Sequence, residues 1–68
     1  MEIYKVNEQF ETLCCIYPFK KGDYLSIYKQ TSKNRLIVCR EQGEYKGGLH
    51  KVKKTTFSRC CIKYGNKS

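Results

Sequence analysis

Apolar and polar positions alternate most clearly between Asp23 and Arg40. In Asp23–Gln30, Leu25 and Ile27 fall on one face of an extended chain, and Tyr24, Ser26 and Tyr28 on the other. That is the two-residue period of a strand, in a stretch rich in β-branched and aromatic residues. Thr31-Ser32-Lys33-Asn34 follows as a polar turn, with Asn34 suited to a left-handed conformation. Arg35–Glu41 then runs back as the second arm of a hairpin. Its unbroken apolar run, Leu36-Ile37-Val38-Cys39, predicts a strand covered on both faces. Gly43 and Gly47-Gly48 mark another turn, and Leu49–Lys53 reads as a short strand.

The two ends of the chain carry a different period. Phe57, Cys60, Cys61 and Tyr64 are spaced i, i+3, i+4, i+7 and predict a short helix near 57–64. Thr56 would be its N-cap and Gly65 the residue after its C-terminus. A strand there would instead put Arg59 and Lys63 on the face of Phe57 and Cys61. Residues 65–68 read as a frayed tail. At the N-terminus, Ile3, Val6, Phe10, Leu13 and Tyr17 fit an amphipathic helix ending before Pro18, whereas Glu2–Val6 has the propensities of a strand.

The run Tyr17-Pro18-Phe19-Lys20-Lys21-Gly22-Asp23-Tyr24-Leu25-Ser26-Ile27 resembles the K-x-G-D-hydrophobic opening of SH3-like small barrels. The resemblance covers this run and the order of strands. It implies an N-terminal strand, a long irregular loop, a Gly22 that permits a tight entry, and an Asp23 that hydrogen-bonds the turn. It favours the strand reading for residues 2–6. The expected fold is therefore mainly β, an SH3-like small barrel, or a small α+β domain. Its strands lie near 2–6, 23–30, 35–41 and 49–53, with a short helix near 57–64 in one domain spanning 1–68. The helix departs from the simplest SH3-like layout.

At 68 residues the chain has little interior; a domain of this size buries only about 60% of its unfolded surface. A deep catalytic cleft is hard to build within it. The net charge of +8 is unevenly placed. Residues 1–19 hold one lysine against three glutamates, residues 20–41 six cations against two acids, and residues 42–68 seven against one. Such a two-toned surface attracts polyanions. The longest uncharged run, Thr12–Phe19, falls far short of the ~20 residues of a spanning helix. The first residues lack the basic-then-apolar layout of a secretory signal, so a cytoplasmic protein without membrane contact is expected.

Five cysteines, Cys14, Cys15, Cys39, Cys60 and Cys61, are an odd number and do not show the C-x2–4-C spacing of zinc sites. They are expected as five free thiols acting as small apolar residues, Cys39 buried, with no metal or other cofactor. His50 is the sole histidine, with no acid or amide in a catalytic arrangement beside it, and the few carboxylates are scattered. An enzyme is not expected.

The remaining signal is basic residues interleaved with aromatics, the combination that binds single-stranded nucleic acid. Tyr24 and Tyr28 would be stacking platforms, with Lys29, Lys33 and Arg35 around the adjoining turn. Lys51, Lys53, Lys54 and Arg59 would neutralise phosphates, helped by Lys20 and Lys21. The expected function is a small basic binding module that associates with nucleic acid without strong sequence specificity. The alternative is a protein-interaction module, a regulator or inhibitor of the kind phages and mobile elements encode, docking on an acidic or nucleic-acid-binding protein.

Overall fold

A computed structural model describes residues 2–14 and 17–66 and has the element order β1 (Glu2–Val6), β2 (Tyr24–Ser32), β3 (Arg35–Arg40), β4 (Leu49–Lys53), α1 (Lys54–Cys60) and β5 (Cys61–Asn66). The strands form one antiparallel sheet in the order β4-β3-β2-β1-β5. The fold is thus mainly β with one short helix, and the sheet is not closed. No helix among the described residues is long and apolar enough to cross a membrane.

One face of the sheet is covered. Val6, Leu25, Leu36, Val38 and Val52 point inward from β1 to β4, and each is almost fully buried. Above them lie Phe57 and Cys60 from α1, and Phe10 and Phe19 from the loop between β1 and β2. That loop folds back on itself through a bridge between Phe10 and Phe19, whose rings stack at 5.3 Å. It also reaches the free edge of β4, where the Leu13 amide donates to the Lys51 carbonyl at 2.7 Å and the Lys51 amide to Cys14 Sγ at 3.2 Å. Its exit follows the sequence. Gly22 adopts φ 97°, a left-handed value open to glycine, and Asp23 Oδ2 accepts from the Lys20 amide at 2.9 Å.

The alternation in β3 differs from the expected double coverage. Leu36, Val38 and Arg40 are buried, while Ile37 and Cys39 are only half-buried on the other face. In β2 the register slips between Ile27 and Lys29, leaving Tyr28 as the extra residue of a bulge. Leu25 stays in the core, but Ile27 is 39% exposed, so the two do not share a buried face. The hairpin strands run on to Ser32, so the turn is shorter than expected, and no described non-glycine residue, Asn34 included, has positive φ.

The helix comes earlier than its periodicity predicts. It occupies 54–60, its N-cap is Lys53 rather than Thr56, and Cys61 to Asn66 form β5 instead of a last helical turn and tail. Residues 67 and 68 of the expected tail lie outside the described residues, as does Cys15. The chain switches period between Cys60 and Cys61. Cys60 faces the core as a helical residue three after Phe57, and Cys61 faces it as a strand residue paired with Val6.

No side chain of the helix caps its own N-terminus. The cap comes from the β2–β3 turn, where Asn34 Oδ1 accepts from the Thr55 amide and its carbonyl from the Lys54 amide, both at 3.1 Å. Asn34→Ala should therefore lower stability by about 1 kcal/mol, the usual value of an N-cap, although Asn34 is distant in sequence from the helix. Chemical denaturation checks this; an unchanged midpoint would show that the contact contributes nothing.

Candidate functional site

Two elements distant in sequence meet at one end of the sheet, the β2–β3 turn and α1. Lys33 and Asn34 from the turn, and Lys54, Thr55, Ser58 and Arg59 from α1, line an open groove of about 730 Å³. The adjoining uncovered sheet face continues the charge. Arg35 pairs directly with Lys53 across β3 and β4, and one row further Ile37 lies between Lys51 and Lys29. Lys29, Arg35, Lys51 and Lys53 are all exposed. Neither segment 29–37 nor 51–60 contains an aspartate or glutamate. Like charges directly opposite on neighbouring strands destabilise a sheet. The Arg35–Lys53 pair is therefore a local cost that a bound anion would relieve.

The expected site residues divide between two regions. Lys51, Lys53, Lys54 and Arg59 meet at this cationic end, joined by Lys29, Lys33 and Arg35. Lys20 and Lys21 lie at the turn that precedes β2, the opposite end of that strand from Lys33. Tyr24 and Tyr28 do not form one platform. Tyr28 is 61% exposed at the bulge, whereas Tyr24 packs edge-on against Tyr64 of β5, with ring centroids at 4.9 Å and an angle of 69°. The spacing of Tyr64 predicts a core-facing helical position. As a strand residue it points to the uncovered face and is 64% exposed. With Ile3, Tyr24, Glu41 and Gln42 it lines a hollow of about 400 Å³. Lys5 Nζ stands 5.9 Å from the centre of the Tyr24 ring.

The buried polar groups are structural. Arg40 lies over Phe19, with its guanidinium carbon 4.0 Å from the ring centre. It donates to Asp23 Oδ2 and to the Tyr17 and Pro18 carbonyls, each at 3.3 Å. His50 is buried beside it, with the Arg40 Nε to His50 Nε2 distance at 3.5 Å. Burial, then the Arg40 charge, holds the imidazole below its ordinary pKa of 6.5. The neighbouring lysines Lys51, Lys53 and Lys54 point outward. The unfolded chain thus takes up a proton on His50 at a higher pH than the folded chain does. Stability should be full above pH 6.5 and should decline as pH falls through that value. Melting temperatures between pH 7 and pH 5 test this, with His50→Gln expected to flatten the decline.

Cys60 and Cys61 are buried, Cys39 is half-buried rather than fully buried, and Cys14 is exposed; these four are free thiols. Burial and then the adjacent Cys60 push the Cys61 thiol up to about 12, which leaves it protonated and unreactive. No group of three or more histidine, cysteine or acidic side chains among the described residues is arranged to hold a metal ion. The groups assembled at the cationic end are lysines, arginines and hydroxyls. The chain matches no family model, no curated protein and no solved structure.

Proposed function

We propose that this domain binds nucleic acid through its cationic end, gripping the phosphate backbone without strong sequence specificity. The observation that carries the reading is the groove lined by Lys33, Lys54 and Arg59 at the same end of the sheet as the Arg35–Lys53 pair, with no carboxylate in their segments. A surface evolved only for solubility intersperses its signs. The groove is open, and among the described residues the one helix, α1, is seven residues long and packs on the core, so insertion into a duplex groove is not its design. The SH3-like reading is supported by the strand order and the long loop before β2, and the short helix and the open sheet depart from it. Free thiols suit a reducing, cytoplasmic setting.

The test is fluorescence anisotropy with labelled oligothymidylate across a salt series. Log Kd should rise linearly with log salt, with a slope of about 0.7 per phosphate neutralised. Replacing Lys33, Lys53, Lys54 and Arg59 by glutamine should flatten the slope by about 3, from ~0.7 at each of four contacts. Absence of binding at about 50 mM salt, where such contacts are strong, overturns the proposal. The second reading, docking on an acidic protein, has one observation in its favour: Leu49 and Ile62 present apolar side chains on the uncovered face, 48% and 55% exposed. A protein partner retained from lysate after nuclease treatment, combined with no oligonucleotide binding, would favour it.

A further inference from the structure

We infer that the hollow walled by Tyr24 and Tyr64 receives a nucleobase, so that the nucleic acid bound is single-stranded. The inference rests on the reading of the cationic end as a phosphate-binding surface and adds where the bases go. The hollow shares the uncovered face of the sheet with Lys29, Lys51 and the Arg35–Lys53 pair, while Lys33, Lys54 and Arg59 line the groove at the end of that face. The register places Ile3, Ser26, Cys39 and Leu49 in one row, with Lys5 and Tyr24 in the row on one side and Lys29, Ile37 and Lys51 on the other. From Tyr24 to Lys29 along β2 is about 17 Å at ~3.3 Å per residue. That distance lies within the reach of the four or so nucleotides that the smallest single-strand sites hold. A strand lying on Lys29, Lys51 and the Arg35–Lys53 pair therefore reaches the tyrosines without leaving the face.

The chemistry of the hollow fits a base. Tyr64 is exposed, and its ring packs against that of Tyr24 at a steep angle. A base stacking on it therefore meets a pre-oriented surface. Ile3 supplies an apolar wall, and Lys5 beside Tyr24 can meet the phosphate of the captured nucleotide. Glu41 and Gln42 line the remaining side. Glu41 already accepts the Ser26 hydroxyl at 2.6 Å, which fixes its carboxylate in place. An ionised carboxylate accepts and does not donate, so the group it would recognise on a base is an amino group. Cytosine, adenine and guanine carry such a group and thymine does not. A base within a duplex keeps both faces stacked and cannot enter the hollow.

The experiment is competition binding with single-stranded and duplex oligonucleotides of equal length, using wild type, Tyr64→Ala, Tyr64→Phe and Glu41→Gln. Tyr64 is exposed, so its replacement leaves the core intact. Wild type should prefer the single strand, and oligocytidylate over oligothymidylate. Tyr64→Ala should weaken single-strand binding about tenfold to a hundredfold while leaving the salt slope unchanged, because stacking displaces no counterions. Tyr64→Phe keeps the ring and should bind as wild type does, and Glu41→Gln should narrow the cytidylate preference. Equal competition by duplex, or Tyr64→Ala binding as tightly as wild type, overturns this inference and leaves the phosphate reading standing. Loss of all oligonucleotide binding in wild type overturns both.

Discussion

Replacing Phe57 by alanine should unfold most of the protein at room temperature. Phe57 is 6% exposed, and its ring meets Tyr4 of β1 edge-on at 4.9 Å, joining the helix to the sheet. Truncating a buried phenylalanine costs about 3–5 kcal/mol. A domain of this length has a total stability of about 3–10 kcal/mol. The loss is therefore comparable with the whole. Phe57→Leu keeps most of the volume and should cost no more than about 1.5 kcal/mol. Urea denaturation of both variants distinguishes packing from a general intolerance of change. An alanine variant melting within a few degrees of wild type would mean that the helix does not anchor on this ring.

Arg40→Ala should come next in severity, at about 3 kcal/mol, in the range for removing one partner from a buried ionic network. Arg40 is buried and ties the loop between β1 and β2 to the sheet through Asp23, two carbonyls and the face of Phe19. Asp23 is partly exposed, so the Coulombic share is modest, and the carbonyl hydrogen bonds and ring contact contribute most. Arg40→Lys should rescue little, because an ammonium cannot present the planar fork that reaches all of these acceptors at once. Limited proteolysis should cut both variants first within residues 7–23. A lysine variant as stable and as protease-resistant as wild type would refute this role.

The sheet was legible in part from the two-residue period, which marks β2, and in part from other signals. The strand near 2–6 follows from β-propensity and the SH3-like resemblance, that near 35–41 from an unbroken apolar run, and that near 49–53 from the turn before it; the strands occupy 2–6, 35–40 and 49–53. What was hidden follows from physical causes of three kinds. A change of period inside a run conceals the boundary, because Cys60 and Cys61 face one core by two different geometries, which imitates a continuing helix. A bulge at Tyr28 cancels the parity that would have placed it beside Tyr24. Tertiary partners leave no local mark: nothing near Asn34 says that it will cap a helix twenty residues later, and Arg40 reads as a surface cation. Its inward parity with Leu36 and Val38 was the available clue. The candidate site was legible as charge in Lys51, Lys53, Lys54 and Arg59. Its aromatic half was not, because the i, i+3, i+4, i+7 spacing of Phe57, Cys60, Cys61 and Tyr64 imitates a core-facing helix while Tyr64 belongs to β5.

The pairing of β1 with β5 has a consequence for how the molecule forms. Ile3 lies opposite Gly65, and Val6 opposite Cys61, so the first strand shares its ladder with the last. The hairpin of β2 and β3 can assemble from neighbours within microseconds, as isolated hairpins do. β1 can be fully flanked only after the whole intervening chain has been brought round, and the entropy of that closure is lost before its contacts are gained. Folding should accordingly be slow for so short a chain, in the millisecond-to-second range of barrels dominated by distant contacts. During biosynthesis the N-terminal strand waits for the last one to leave the ribosome.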